Sequence, residues 1–207
     1  MTWTEISTPD DLVALVGLPT ERVANKGRTA LTAVDREWLA ATPFCMLATA
    51  DAEGRCDVSP KGDPAGRLVH VIDDTTIAIA ERRGNRRVDG YRNILLNPHV
   101  GLNFVIPGRG DTLRVNGRAR LVSDAPFLDA MAIDGKRPVL ALVVEIEEIF
   151  FHCAKAFLRS SLWKPETWAP EDRVPRRAVI AKRTEHDPRS QEELDAYYGE
   201  QYAQGLY

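Results

Sequence analysis

The clearest order in the chain is a series of segments in which apolar and polar residues alternate. "FCMLATA" (44–50) leads through a turn, "DAEG", into a returning segment, "RCDVSP", and the two read as a hairpin. "RLVHVID", a "DDT" turn and "TIAIAE" make a second pair; "HVGLNFVIP", a "GRGD" turn and "TLRVNGRARLV" make a third. "VLALVVEIEEIFF" is one long strand whose Glu145, Glu147 and Glu148 mark a wetter face or edge. Such short turns leave no room for the crossovers of a parallel sheet, so an antiparallel barrel is expected.

Helical signals flank these strands. "STPDDLVALVG" has Ser7 or Thr8 as a cap, Pro9 in the first turn, and Asp10 and Asp11 to complement the dipole. Thr20 opens a second short helix through "ERVANK", stopped by Gly27. "AVDREWLAATP" is a third, with Val34, Trp38 and Leu39 on one side and Pro43 at its end. Further helices are expected from Asp124 through "DAPFLDAMAIDGK" and in "HCAKAFLRSSLW", whereas "WKPETWAPEDRVPRR" is expected to be irregular. Near the end, Ser190 and Glu193 form a capping box at the head of "SQEELDAYYGEQYA". The expected layout is N-terminal helices over 1–42, a barrel over 43–164 and an extension over 165–207, in one compact domain.

Composition narrows the class. With 44% hydrophobic and 28% charged residues and a net charge of −3, the chain lacks the basic excess of a general nucleic-acid or membrane-surface binder. The three cysteines, Cys45, Cys56 and Cys153, are widely spaced, which argues against a disulfide framework or zinc site and for a reducing cytoplasm. "MTWTEISTPDDL" does not read as a signal peptide, and no run approaches the ~20 apolar residues of a membrane span. A soluble, cytoplasmic protein is expected.

Against that acidic background, "RRGNRRVDGYRNILLNP" (82–98) carries five arginines: Arg82, Arg83, Arg86, Arg87 and Arg92. They repel one another unless carboxylates, water or a bound anion lie among them. "VSPKGD" (58–63) adds Ser59 and Lys61, a small donor and a charged donor, at the end of a strand. The coincidence of both segments at strand ends favours an anion site over a solvated surface. His70, His99, His152 and His186 lie in separate elements without ligand spacing, and only His152, beside Cys153 and Lys155, draws notice. No GxSxG, HExxH, GxGxxG or P-loop motif is present. Tyr91 is the only aromatic inside the arginine stretch, too few for stacking nucleic-acid bases.

Four motifs, "SPKGD" at 59–63, "RRGNRRVDGYRNILLNP" at 82–98, "IPGRGDTLRVNGRA" at 106–119 and "HCAKAFLRSSLW" at 152–163, carry a family resemblance. Over roughly residues 30 to 168 the chain resembles the pyridoxamine 5′-phosphate oxidase-like FMN-binding split barrels. That resemblance implies a six-stranded antiparallel split β-barrel with flanking helices and a homodimer that binds FMN between subunits. It implies a phosphate grip by Arg83, Asn85, Arg86 and Arg87 at the head of a helix, with Asn93 fixing the loop. Val58, Ser59 and Lys61 would lie along the flavin ring, and Ile79 and Ala80 would offer backbone contacts. The partner would contribute Arg114, Asn116, Arg159, Ser160 and Trp163, and Trp163 would equally serve as interface packing.

Related proteins commonly have Arg where Lys61 stands, and Lys lacks the flat fork that makes two parallel hydrogen bonds. The strand motif "RxVLLK" and the C-terminal arginine and histidine segment of true pyridoxamine phosphate oxidases are not recognisable. The expected function is therefore an FMN-dependent oxidoreductase of unknown substrate, with a nicotinamide or other electron donor, rather than a vitamin B6 oxidase. The alternative is a non-catalytic barrel that carries flavin or haem, with His152 or His99 as the haem candidate.

Overall fold

The computed structural model describes residues 2–169 and 173–207. Helices α1 (Pro9–Val16) and α2 (Glu21–Ala24) come first, α1 capped by the Thr8 hydroxyl, and neither buries a residue. Helix α3 (Ala33–Ala41) is the first to pack, and its side chains differ from the expected face. Trp38 and Leu39 are buried, but Val34 is 59% exposed and Asp35 is fully buried. The cause is Arg28, whose backbone pairs with Ile149 and whose guanidinium grips both Asp35 oxygens. Burial pushes the Asp35 carboxyl up, but the hydrogen bonds from Arg28 and Thr32 outweigh it and hold the group below its usual value.

Among the described residues seven strands follow: β1 (Phe44–Ala50), β2 (Cys56–Gly62), β3 (Val69–Val71), β4 (Thr76–Ala80), β5 (His99–Val105), β6 (Thr112–Val122) and β7 (Ala141–His152). Helix α4 (Asp89–Leu96) joins β4 to β5, and α5 (Phe127–Ala130) lies between β6 and β7. After β7 come α6 (Lys155–Ser160), a 3-10 turn at Pro165–Thr167, α7 (Arg177–Arg183) and α8 (Gln191–Tyr197).

The three expected hairpins form, β1 with β2, β3 with β4 and β5 with β6, all antiparallel. The sheet order is β2-β1-β5-β6-β7-β4-β3, so the long β7 joins the β6 side to β4. The sheet departs from the expected six-stranded barrel: it has seven strands and does not close. The two ends of the order, β2 and β3, remain unpaired on one side, and β3 is only three residues long. Residues from all seven strands except β2 still share one core, including Leu47, Phe104, Val115, Ile77, Ile79, Leu142 and Ile149. Where β6 crosses β7 a bulge falls at Gly117, where any Cβ would collide with the Glu145 carbonyl oxygen.

Three helix expectations change. The helix expected from Asp124 shrinks to the single turn of α5, because Pro126 takes the N-cap place and Asp134 and Gly135 turn back with positive φ. His152 ends β7 instead of opening α6. Helix α7 forms in "RRAVIAKR", where no helix was expected; with Leu194 of α8 its Ala178 and Ala181 form a separate small core. The capping box of Ser190 and Glu193 forms as expected. Residues 170–172 of the stretch expected to be irregular lie outside the described residues.

Candidate functional site

Strand β2 alternates Asp57, Ser59 and Lys61 on its half-buried face with Val58, Pro60 and Gly62 on its exposed face. Opposite it, the chain leaves β4 at Ala80, crosses the arginine loop and enters α4. Between them lies a cavity of about 420 Å³, lined by Val58, Ser59, Lys61, Ala80, Arg83, Asn85 and Arg87 among others. Seven of the expected residues thus meet in one place. Apolar wall comes from Val58, Leu68 and Ala80, and the polar end comes from the loop. Ala80 pairs with Ala141 of β7 but has no partner in β3, which stops opposite Ile79.

The loop is built to project its polar groups. The Asn85 carbonyl oxygen accepts from the Arg87 backbone N–H at 2.9 Å, and Arg86 takes a left-handed φ of 63°. Helix α4 then starts at Asp89 with no side-chain cap, and in its first turn the Tyr91 N–H already donates to the Val88 carbonyl at 3.0 Å. Gly90 lets the helix come close to β2: a Cβ there would lie 2.9 Å from an Asp57 carboxylate oxygen. Asn93 donates to the Thr49 hydroxyl at 3.1 Å and ties α4 to β1.

The five arginines divide in role, and Arg92 lies exposed on α4. Arg82 is nearly buried and bonds Asp63 at 2.8 Å and the Met131 carbonyl at 3.0 Å, so it fastens the loop base. Asp63 also accepts from the Tyr207 hydroxyl at 3.2 Å. Arg87 is exposed and pairs locally with Asp89 at 2.5 Å. Arg83 and Arg86 are exposed, and Arg83 also lines the cavity. Lys61, in contrast, is bound on both sides: its ammonium lies 2.9 Å from Glu81 and 3.0 Å from the Tyr91 hydroxyl.

The remaining expected residues lie elsewhere. Ile79 is fully buried in the core, with its backbone flanked by β3 and β7. Arg86 is absent from the cavity lining. Arg114 and Asn116 line a second cavity, of about 370 Å³, over the outer side of β1, β5 and β6 with His152, Cys153 and Phe157. There Arg114 donates to the Asn116 side-chain oxygen at 3.2 Å, and the Asn116 amide nitrogen donates to Glu148 at 2.8 Å. Burial and the nearby Lys26 and Arg114 push the His152 imidazole below its usual value. Trp163 stacks on Phe157 and donates to the Arg109 carbonyl at 2.7 Å, and Ser160 donates to Phe157 within α6. Arg159 is exposed on α6, and exposed His99 contacts Asn97 and Arg118.

Sequence reasoning missed Glu81, Tyr91 and Asp63. Glu81 ends a strand next to the arginine run, which is the one local signal for it; the other two contacts exist only in the folded chain. Among the described residues no group of three or more His, Cys, Asp and Glu is placed to hold a metal, and no helix is long and apolar enough to cross a membrane.

An open antiparallel sheet with a groove at its edge strand, lined by the basic Lys61, Arg82, Arg83 and Arg87 and by the acidic Asp57, Asp63, Glu81 and Asp89, defines a small β protein of the split-barrel class. The chain belongs to the pyridoxamine 5′-phosphate oxidase family, whose model matches residues 31–153, more than half of its length. No curated protein matches its sequence. Among solved structures it is similar to HupZ from Group A Streptococcus, at 24% identity and TM-score 0.46, covering 58% of this chain and 93% of that one. A putative pyridoxamine 5′-phosphate oxidase from Lactobacillus delbrueckii is 24% identical with TM-score 0.46, over 59% and 95% of the two chains. HutZ, a haem storage protein from Vibrio cholerae, is 17% identical with TM-score 0.41, over 57% and 90%.

Proposed function

We propose that this chain is an FMN-dependent oxidoreductase, working as a homodimer, that holds its flavin between β2 and the arginine loop. The observation that supports it most is the cavity that joins Ser59 and Lys61 to Arg83, Asn85 and Arg87. Its donor set suits a molecule with one flat apolar part and one dianionic end. Val58, Leu68 and Ala80 offer the apolar wall, while guanidinium groups suit a phosphate. FMN, when bound, supplies the two-electron chemistry, so no acid–base triad is required of the protein.

The protein's own residues then bind and orient. Arg83 neutralises the phosphate, Arg87 joins it by exchanging its Asp89 partner for the ligand, and Arg86 is near enough in sequence to assist. The Ser59 hydroxyl gives its one proton to Asp57 at 2.7 Å, which leaves its oxygen lone pairs to accept from a ligand N–H. A second copy would cover the exposed face of β2 and bring Arg114, Asn116 and α6 towards the site. A nicotinamide or another reductant would approach from the open side.

The test is the visible absorbance spectrum of the purified protein, with heat release of whatever is bound. Twin flavin bands with FMN in the supernatant are expected, and the colour should be lost when Arg83, Arg86 and Arg87 all become Ala. A colourless protein that also rejects added FMN would overturn the reading.

A further inference from the structure

Lys61, Glu81 and Tyr91 come from three elements and meet in a closed triangle. Lys61 is on β2, Glu81 follows β4, and Tyr91 is in the first turn of α4. The Lys61 ammonium gives one N–H to Glu81 Oε2 at 2.9 Å and one to the Tyr91 hydroxyl at 3.0 Å. Tyr91 in turn donates to the same Glu81 oxygen at 2.6 Å. The ammonium also lies 4.5 Å from the centre of the Tyr91 ring. Lysine and glutamate side chains are 17% and 23% exposed, while Tyr91 is buried at 5%. Burial and Glu81 push the Tyr91 hydroxyl well above its usual value, so it stays protonated and donates.

Two consequences follow from this geometry. An ammonium has three donors, and two of them are already engaged, which leaves one for a ligand. Its charge is also offset by a carboxylate in direct contact, and both groups line the cavity. A lone lysine there would favour any ligand that gains negative charge on reduction; a lysine in a contact pair favours it far less.

Building on the flavin reading above, we propose that Glu81 and Tyr91 are positioning residues for Lys61. They fix its ammonium on the cavity wall and offset its charge, so the ion pair as a unit sets the reduction potential of bound flavin. Breaking the pair from either side then moves the potential in opposite directions. Glu81→Gln leaves the cation uncompensated and raises it. Lys61→Gln leaves the carboxylate uncompensated and lowers it. The double variant removes both charges and returns near the wild-type value.

The experiment is reductive titration of the FMN-loaded full chain against a reference dye. Each single change should alter the preference for reduced over oxidised FMN by about tenfold, or ~30 mV for a two-electron couple. Lys61→Arg, which keeps the pair, should stay within about threefold of wild type. A role in folding alone would weaken FMN binding in all variants without shifts of opposite sign. Flavin bound with equal potentials in wild type and both single variants would overturn this proposal and leave the flavin reading standing. Wild-type protein that takes up no FMN would overturn both. Should Lys61→Gln fail to fold, Glu81→Gln and Lys61→Arg still decide the matter, because only the first should shift.

Discussion

Strands β2 and β4 both contribute to the same cavity, yet β4 is fastened by buried side chains and β2 is not. Every residue of β4 is buried: Ile77 and Ile79 enter the main core, and Ala78 and Ala80 pack on a second cluster with Leu128, Met131 and Val143. No residue of β2 is buried, and Val58 is 56% exposed. Full burial of an isoleucine stabilises by about 1.5–3 kcal/mol, so β4 is anchored by its own side chains. Strand β2 is held by its ladder to β1, by Lys61 and by the approach of α4 at Gly90. The cavity therefore has one rigid wall and one edge wall with an open outer face. An edge strand of this kind is where another chain can add cover.

The comparison can be broken at several places, and the largest effect is expected at the loop base. Arg82→Ala strands a carboxylate, Asp63, that is 2% exposed, and should cost about 3–5 kcal/mol in urea denaturation. Ile79→Ala on the fastened wall should cost about 2–5 kcal/mol, read from the same transition. Val58→Ala on the edge wall should change the stability of the separate chain by less than about 0.5 kcal/mol. A Val58 effect as large as that of Ile79 would mean that β2 is covered from outside under those conditions. The smallest change in stability is expected from Arg83→Ala with Arg86→Ala. Both side chains are exposed, so the melting temperature should move little while FMN affinity falls tenfold or more.

Acid should act on a different part of the molecule. The Asp35 carboxyl titrates below its usual value in the folded chain, so its contribution is present at neutral pH. It is lost as pH falls through that lowered value, because the unfolded chain takes up the proton first. Asp35→Asn should flatten this part of the stability–pH curve, measured by urea midpoints across the acid range.

Much of the fold was legible because strands advertise themselves by alternation and turns. "FCMLATA" and "TLRVNGRARLV" coincide with β1 and β6 to the residue. What alternation could not show was closure, since pairing of β2 and β3 depends on lengths and curvature set by the other strands. Val34 and Asp35 exchanged places because Arg28, outside the helix, compensates the burial of Asp35 with two hydrogen bonds. At the site, "VSPKGD" drew attention to Ser59 and Lys61 at the end of β2, and the arginine run drew attention to the loop. Which arginines serve structure was hidden, because Arg82 meets Asp63 only in the folded chain, as Lys61 meets Glu81 and Tyr91.

The central claim is that the arginine loop grips a phosphate, and the most direct measurement is a paired titration with FMN and riboflavin followed by flavin fluorescence. The two ligands share the ring system and differ at the phosphate. Wild-type protein should prefer FMN by about a hundredfold or more, and the Arg83, Arg86 and Arg87 triple alanine variant should lose that preference while still binding riboflavin as before. Equal affinity of the wild type for both ligands, or an unchanged preference in the triple variant, would contradict the account.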